Sequence, residues 1–151
     1  MTVQVVIIGN KHMSLEQTAY VVRASVPQRE ALQAAIDAMG FDCKLHASYM
    51  PFVSTGFLPC VLNGKKSGFE IYFEPAADLL QQFSHLSQNV GGRDVAVGFR
   101  WGGDMAECAC VYIVSAALAT SFGAIVHYHD DDMLYSAEQL ANEARVALSE
   151  V

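Results

Sequence analysis

The segment Met105–Phe122 constrains this chain more than any other. Beyond Glu107 it holds no charged residue, and Cys108, Val111, Tyr112, Val114, Ala117 and Leu118 point to every side of a helix. A helix that is apolar all round must be covered all round. The stretch falls short of the ~20 consecutive apolar residues that span a bilayer, and Asp104 and Glu107 stand at its start, so a buried core helix is expected and no membrane span. Such a helix needs a fold large enough to surround it. With 151 residues, 52% of them hydrophobic and only 17% charged, the chain suits one domain over 1–151 with a well-filled core, and it does not suit disorder.

The remaining elements follow from pattern and punctuation. Val3–Ile8, rich in β-branched residues and closed by Gly9-Asn10, reads as a buried strand. Residues 14–22 fit a short helix or an extended strand equally well. Pro27 opens a helix in which Ala31, Leu32, Ala35, Ile36 and Met39 form one apolar stripe, with Gly40 as its stop. Alternation over Phe41–Tyr49 predicts a strand, Cys43, Leu45 and Ala47 on one face and Asp42, Lys44 and His46 on the other. Asn63-Gly64 joins two strand-like runs as a hairpin, and Pro59 is expected to place the first run at an edge or beside a bulge. Pro75 starts a helix with Leu79, Leu80 and Phe83 inward. Arg93–Trp101 and Ile125–His129 read as strands, Asp130–Asp132 as a turn, and Ser136 with Gln139 as the capping box of a last helix. Hairpins mixed with crossover helices predict an α+β fold, helices packed on a single mostly antiparallel or mixed sheet with one central buried helix.

The formal charge of −7 excludes nucleic acid as a natural partner, because phosphates demand clustered Lys and Arg. It favours a basic partner instead. Val5–Ile8 is too short for a signal peptide and has no basic region before it, so Cys43, Cys60, Cys108 and Cys110 are expected as reduced thiols in a cytoplasmic protein.

Several constellations bear on chemistry. His127 and His129 fall on one face of a strand with three aspartates following, and two histidines plus a carboxylate form a known metal-ligand set. No third ligand is indicated elsewhere, so an exposed strand face running into an acidic turn is the preferred reading and no metal is assigned. In Arg100-Trp101-Gly102-Gly103-Asp104, two glycines at a helix start would expose N–H groups to an anion, but Asp104 already occupies the positive end of the helix. Arg100 and Trp101 are then candidates for partner contact, both types being enriched at binding hot spots. Gly9-Asn10-Lys11 begins no dinucleotide fingerprint, and no phosphate loop, G-x-S-x-G or H-E-x-x-H occurs. Cys108 and Cys110, about 200° apart round a helix, cannot jointly grip one metal. Nothing marks a base beside Cys60. No catalytic residue and no cofactor is assigned.

Gly56-Phe-Leu-Pro-Cys-Val-Leu-Asn-Gly with Ser67-Gly-Phe-Glu-Ile-Tyr-Phe, and Val97-Gly-Phe-Arg-Trp-Gly-Gly-Asp with its Ala-rich helix, together resemble small uncharacterised bacterial proteins of the toxin-immunity type over residues 27–148. The resemblance implies a small, acidic, cytoplasmic protein without an active site, and it supplies no catalytic residues. The expected function is neutralisation of a cognate secreted toxin, its partner-binding residues being Arg100, Trp101, Asp130, Asp131 and Asp132. The alternative is a small metal- or ligand-binding enzyme using His127, His129 and the aspartates. A homo-oligomer is compatible with either.

Overall fold

The computed structural model describes residues 14–151; the strand expected at Val3–Ile8 and the Gly9-Asn10-Lys11 segment lie outside them. The described strands are β1 Leu15–Val21, β2 Cys43–Leu45, β3 Gly56–Leu62, β4 Lys65–Pro75, β5 Val95–Trp101, β6 Ile125–Tyr128 and β7 Met133–Tyr135. They form one sheet in the order β2-β3-β4-β5-β1-β6-β7, and every pairing is antiparallel. The helices are α1 Arg29–Ala38, α2 Ala76–Leu80, α3 Ser87–Val90, α4 Met105–Ser121 and α5 Ala137–Ser149. This is the α+β architecture expected from the sequence, with α4 as its central helix.

The ambiguous segment 14–22 is the strand β1, paired with β5 from Leu15↔Trp101 to Val21↔Val95 and with β6 from Gln17↔Tyr128 to Tyr20↔Ile125. A strand covered on both faces loses the alternation that marks a half-buried one, which is why periodicity was silent there. Along it Ala19 and Val21 face α4, whereas Glu16, Thr18 and Tyr20 face the other side. Gln17 ties strand to helix, its Nε2 donating to Ser115 Oγ of α4 at 2.8 Å.

At the other end of the sheet, Asn63 (φ 51°) and Gly64 (φ 82°) make the tight turn of the β3–β4 hairpin. Pro59 corrects one expectation: it lies in an interior strand, flanked by β2 and β4. The ladder accommodates it because β2 stops at Leu45, the partner of Cys60. His46 still donates to the Pro59 carbonyl at 3.1 Å. The His46 carbonyl, which a proline cannot serve, accepts from Arg29 Nε at 3.3 Å, and the Leu45 carbonyl accepts from Arg29 Nη2 at 2.7 Å. Proline thus ends the expected Phe41–Tyr49 strand after three residues, and an arginine from α1 caps it. Opposite Pro59, Gly68 admits no side chain, since a Cβ would lie 2.6 Å from the Leu58 carbonyl oxygen, and the Phe57 ring covers the gap.

Helix α4 is buried from Ala109 to Leu118. It lies against the sheet on one side and against α1 and α5 on the others. These two are amphipathic, giving Leu32 and Ile36 from α1 and Leu140, Ala144 and Ala147 from α5 to the core. Ala31, included in the expected stripe of α1, is exposed. Asp104 caps α4 by accepting from the N–H groups of Ala106 and Glu107. Glu107 reaches back to the Gly102 N–H at 3.3 Å rather than closing a capping box, whereas Ser136 and Gln139 form a complete one. The hairpin partner β7 was not foreseen; it is only Met133–Tyr135, too short for period-2 alternation to register.

The opposite sheet face is covered only in part. Tyr20 and Ala96 pack against Ala76, Leu86 and Val90 of the α2–α3 segment. Toward the Glu16 end of β1 and the Arg100 end of β5 the sheet face is open.

Candidate functional site

Register places polar side chains in rows across this open face. Glu70 of β4 pairs with Arg100 of β5, Arg100 with Glu16 of β1, and the Glu16 carbonyl accepts from the His129 N–H at 3.1 Å. One step along, Tyr72, Gly98, Thr18 and His127 are successive partners across β4, β5, β1 and β6. Gly98 has no side chain to fill its place in the row, and a cavity of about 470 Å³ opens over it, lined among others by Thr18, Tyr72, Glu74, Leu79, Arg100 and His129. Glycine inside a strand marks a spot that something else can approach closely.

The charges along the rows are paired loosely. Arg100 Nη2 is 3.6 Å from Glu16 Oε1, and its guanidinium lies 5.5 Å from the Tyr72 ring centre. The Tyr72 hydroxyl donates to Glu70, whose carboxylate pushes that phenol above its ordinary value. His129 Nε2 is 2.8 Å from Thr18 Oγ1, and its Nδ1 is 4.0 Å from Glu16 Oε1. Burial outweighs the neighbouring carboxylates and holds His129 below the usual imidazole value.

Next to this cavity the acidic turn folds back on the histidines. His127, fully buried, donates from Nε2 to Asp132 Oδ1 at 2.7 Å, and His85 donates to the same oxygen at 2.9 Å. Those two hydrogen bonds keep the Asp132 carboxyl below its ordinary range, hence firmly ionised. The ring of Phe83 stands edge-on to both His127 and His129, with centres 4.7 and 4.9 Å away. Asp131 accepts from the Tyr135 hydroxyl at 2.8 Å. The turn itself is closed by the Asp132 N–H donating to the His129 carbonyl, with Asp132 at φ 53°, a conformation Asp tolerates better than most residues.

Arg100 therefore gathers with His127, His129 and Asp132, which lie about thirty residues further along the sequence, on one side of the sheet. Trp101 does not join them. It points to the α4 face, 3% exposed and stacked on Tyr128 at 6.2 Å, so it is corrected from a partner contact to a core residue. Strand alternation decides this, because neighbours in a strand face opposite ways. The anion-binding role considered for the Gly102-Gly103 turn also goes, since the carboxylates of Asp104 and Glu107 occupy the N–H groups it would have used.

Sequence reasoning missed Glu16, Thr18, His85 and Gly98. Residues 14–22 carry no period that marks them as a strand, and nothing local marks His85, 47 residues from Asp132. No family model, curated protein or solved structure matches this chain. No helix among the described residues is long and apolar enough to cross a membrane.

Proposed function

We propose that this chain is a toxin-immunity-type protein, acting in the bacterial cytoplasm and neutralising a cognate secreted toxin through an acidic surface that meets a basic cleft. The observation that carries the reading is the Asp130–Asp132 turn. Three consecutive exposed aspartates stand on a hairpin, and two of them are fixed by side-chain hydrogen bonds to Tyr135, His85 and His127. A cluster already fixed in this way loses less conformational freedom on binding than a free acidic loop would. The overall charge of −7 acts in the same direction by steering a basic partner toward the molecule. Arg100 remains a candidate contact beside this turn. The test is binding of the purified protein to the product of the adjacent gene. Submicromolar binding, weakened in an Asp130→Asn/Asp131→Asn variant, supports the reading, and absence of binding overturns it.

The cavity over Gly98 favours a second reading, that of a small-ligand-binding protein. Arg100, His129, Thr18 and Tyr72 offer donors and acceptors around an unfilled floor, and a Cβ at position 98 would meet its nearest neighbours at an ordinary 3.8 Å. Gly98→Ala should therefore fold normally, and Gly98→Val, with its folding checked by circular dichroism, places a larger side chain at the cavity floor. Small polar metabolites that raise the melting temperature of the natural chain, and not of Gly98→Val, would support this reading over the first.

A further inference from the structure

Cys43 of β2, Cys60 of β3 and Cys110 of α4 converge from three elements, and their Sγ atoms all lie within 4.8 Å of one another. Cys60 Sγ and Cys110 Sγ are 3.1 Å apart. All three side chains are buried and all are free thiols. A metal held at about 2.3 Å by three sulfurs in one plane sets those sulfurs about 4 Å apart, so the triad is already near the dimensions of such a site. Single buried cysteines serve as small hydrophobes, but packing alone does not call for three sulfurs at one point.

The surroundings supply an entry route. A cavity of about 700 Å³ is lined by Cys60 and by Lys44, His46, Lys66, Ser67, Asp104 and Glu107. Ser67 is the ladder partner of Cys60, and its buried Oγ has no hydrogen-bond partner among the described residues. The donor set contains sulfur and a hydroxyl but no carboxylate, which suits soft ions and not Mg²⁺ or Ca²⁺.

We propose that Cys43, Cys60 and Cys110 form a thiolate site for a soft closed-shell metal ion, Zn²⁺ or Cu⁺. Binding replaces each thiol proton with a metal–sulfur bond and releases the protons to solvent, and no electron is transferred. Zn²⁺ takes four ligands, the fourth being Ser67 Oγ or a water admitted through the cavity, whereas Cu⁺ is content with the three sulfurs. The bound ion would pin the edge strand β2 and its neighbour β3 to the central helix. The site is independent of the acidic turn and of the partner reading. Cys108 stands outside it, about 200° round α4 from Cys110, and serves as an internal control.

The experiment uses the full chain, reduced and desalted without oxygen. Co²⁺ is titrated as a spectroscopic stand-in for Zn²⁺ and then displaced by Zn²⁺; Cu⁺ is titrated against a colorimetric chelator. One equivalent should bind, with sulfur-to-cobalt charge-transfer absorption in the cobalt arm or stoichiometric capture from the chelator in the copper arm. Cys108→Ser should bind unchanged. Cys43→Ser, Cys60→Ser and Cys110→Ser should each lose more than the ~10–100-fold that removal of an outer-shell partner costs. Alkylation of the natural chain in mild denaturant, compared with and without metal, gives a readout that needs no variant, since the metal should slow modification of the three triad thiols and leave that of Cys108 unchanged. Failure to bind in both arms overturns the proposal. So does binding that survives loss of each triad cysteine, or that Cys108→Ser abolishes.

Discussion

His127 and His129 are two residues apart in sequence, and both pack on Phe83, but they are held differently. His127 is fully buried, with one nitrogen on Asp132 and its Nδ1 without a hydrogen-bond partner among the described residues. An exposed strand histidine would tolerate glutamine; this one should not, because the change removes an aromatic contact and disturbs a buried hydrogen bond. His127→Gln is expected to cost about 1–3 kcal/mol, read by denaturant unfolding. A loss within error would mean the ring contributes nothing to the hairpin. His129 carries the pH dependence. Its folded-state value is lowered from 6.5 by burial, so below about pH 6.5 the unfolded chain binds more protons than the folded one. The contribution is therefore complete above that value and is lost as pH falls through and beneath it. Melting temperatures taken from about pH 7.5 down to about 5.5 should fall for the natural chain and fall less for His129→Gln. Equal slopes would assign the decline to other groups. Asp132 acts in the acid range, stabilising above its ordinary 3.8 and ceasing to do so as pH drops further.

At the scale of elements, what the sequence made legible is whatever one segment decides alone. Helix α4 could be read because its composition leaves no polar face, and the Asn63-Gly64 hairpin because two residues there accept positive φ. The end of α1 followed from Gly40, whereas its start lies at Arg29 with Gln28 as N-cap, two residues beyond the Pro27 expected to open it. Elements whose identity depends on distant partners could not be read: β1 is extended because β5 and β6 flank it, and β2 ends where Pro59 of another strand withholds a donor. The candidate site divides in the same way. His127, His129 and the aspartates are neighbours in sequence, but Arg100, Glu16 and His85 reach them only through strand order and helix placement. The triad Cys43, Cys60 and Cys110 was invisible because its members are related by β2–β3 register and the position of α4 above it. Helix α4 also gives the sharpest test of this scale. Ala117 is completely buried, so Ala117→Asp places an uncompensated charge in the core and should cost about 3–5 kcal/mol. Ala31→Asp on the exposed side of α1 is the matched control and should change stability little. Comparable unfolding midpoints for the two variants would remove α4 from the centre of the fold.

For the molecule as a whole, the asymmetry between the two sheet faces bears on function. One face is sealed by α4, α1 and α5, whereas the other ends in charged rows, an open cavity and the acidic turn at the β6–β7 edge. In the immunity reading, encounter with a basic toxin is governed by long-range attraction, which at physiological salt is screened over about 8 Å. Raising salt should therefore slow association much more than it speeds dissociation, since charges at an interface rim act chiefly on the on-rate. Asp130 and Asp131 are the appropriate residues to neutralise, because Asp132 also holds His127 and His85, and removing its charge would mix surface electrostatics with hairpin stability. Asn at 130 and 131 keeps turn-forming ability and can still accept from Tyr135, so the fold should survive. With the toxin immobilised and association followed at low and high salt, the Asp130→Asn/Asp131→Asn variant should bind more slowly at low salt and converge on the natural chain at high salt. An on-rate indifferent both to salt and to the substitution would exclude this turn from the interface, and attention would pass to Arg100 and the cavity beside it.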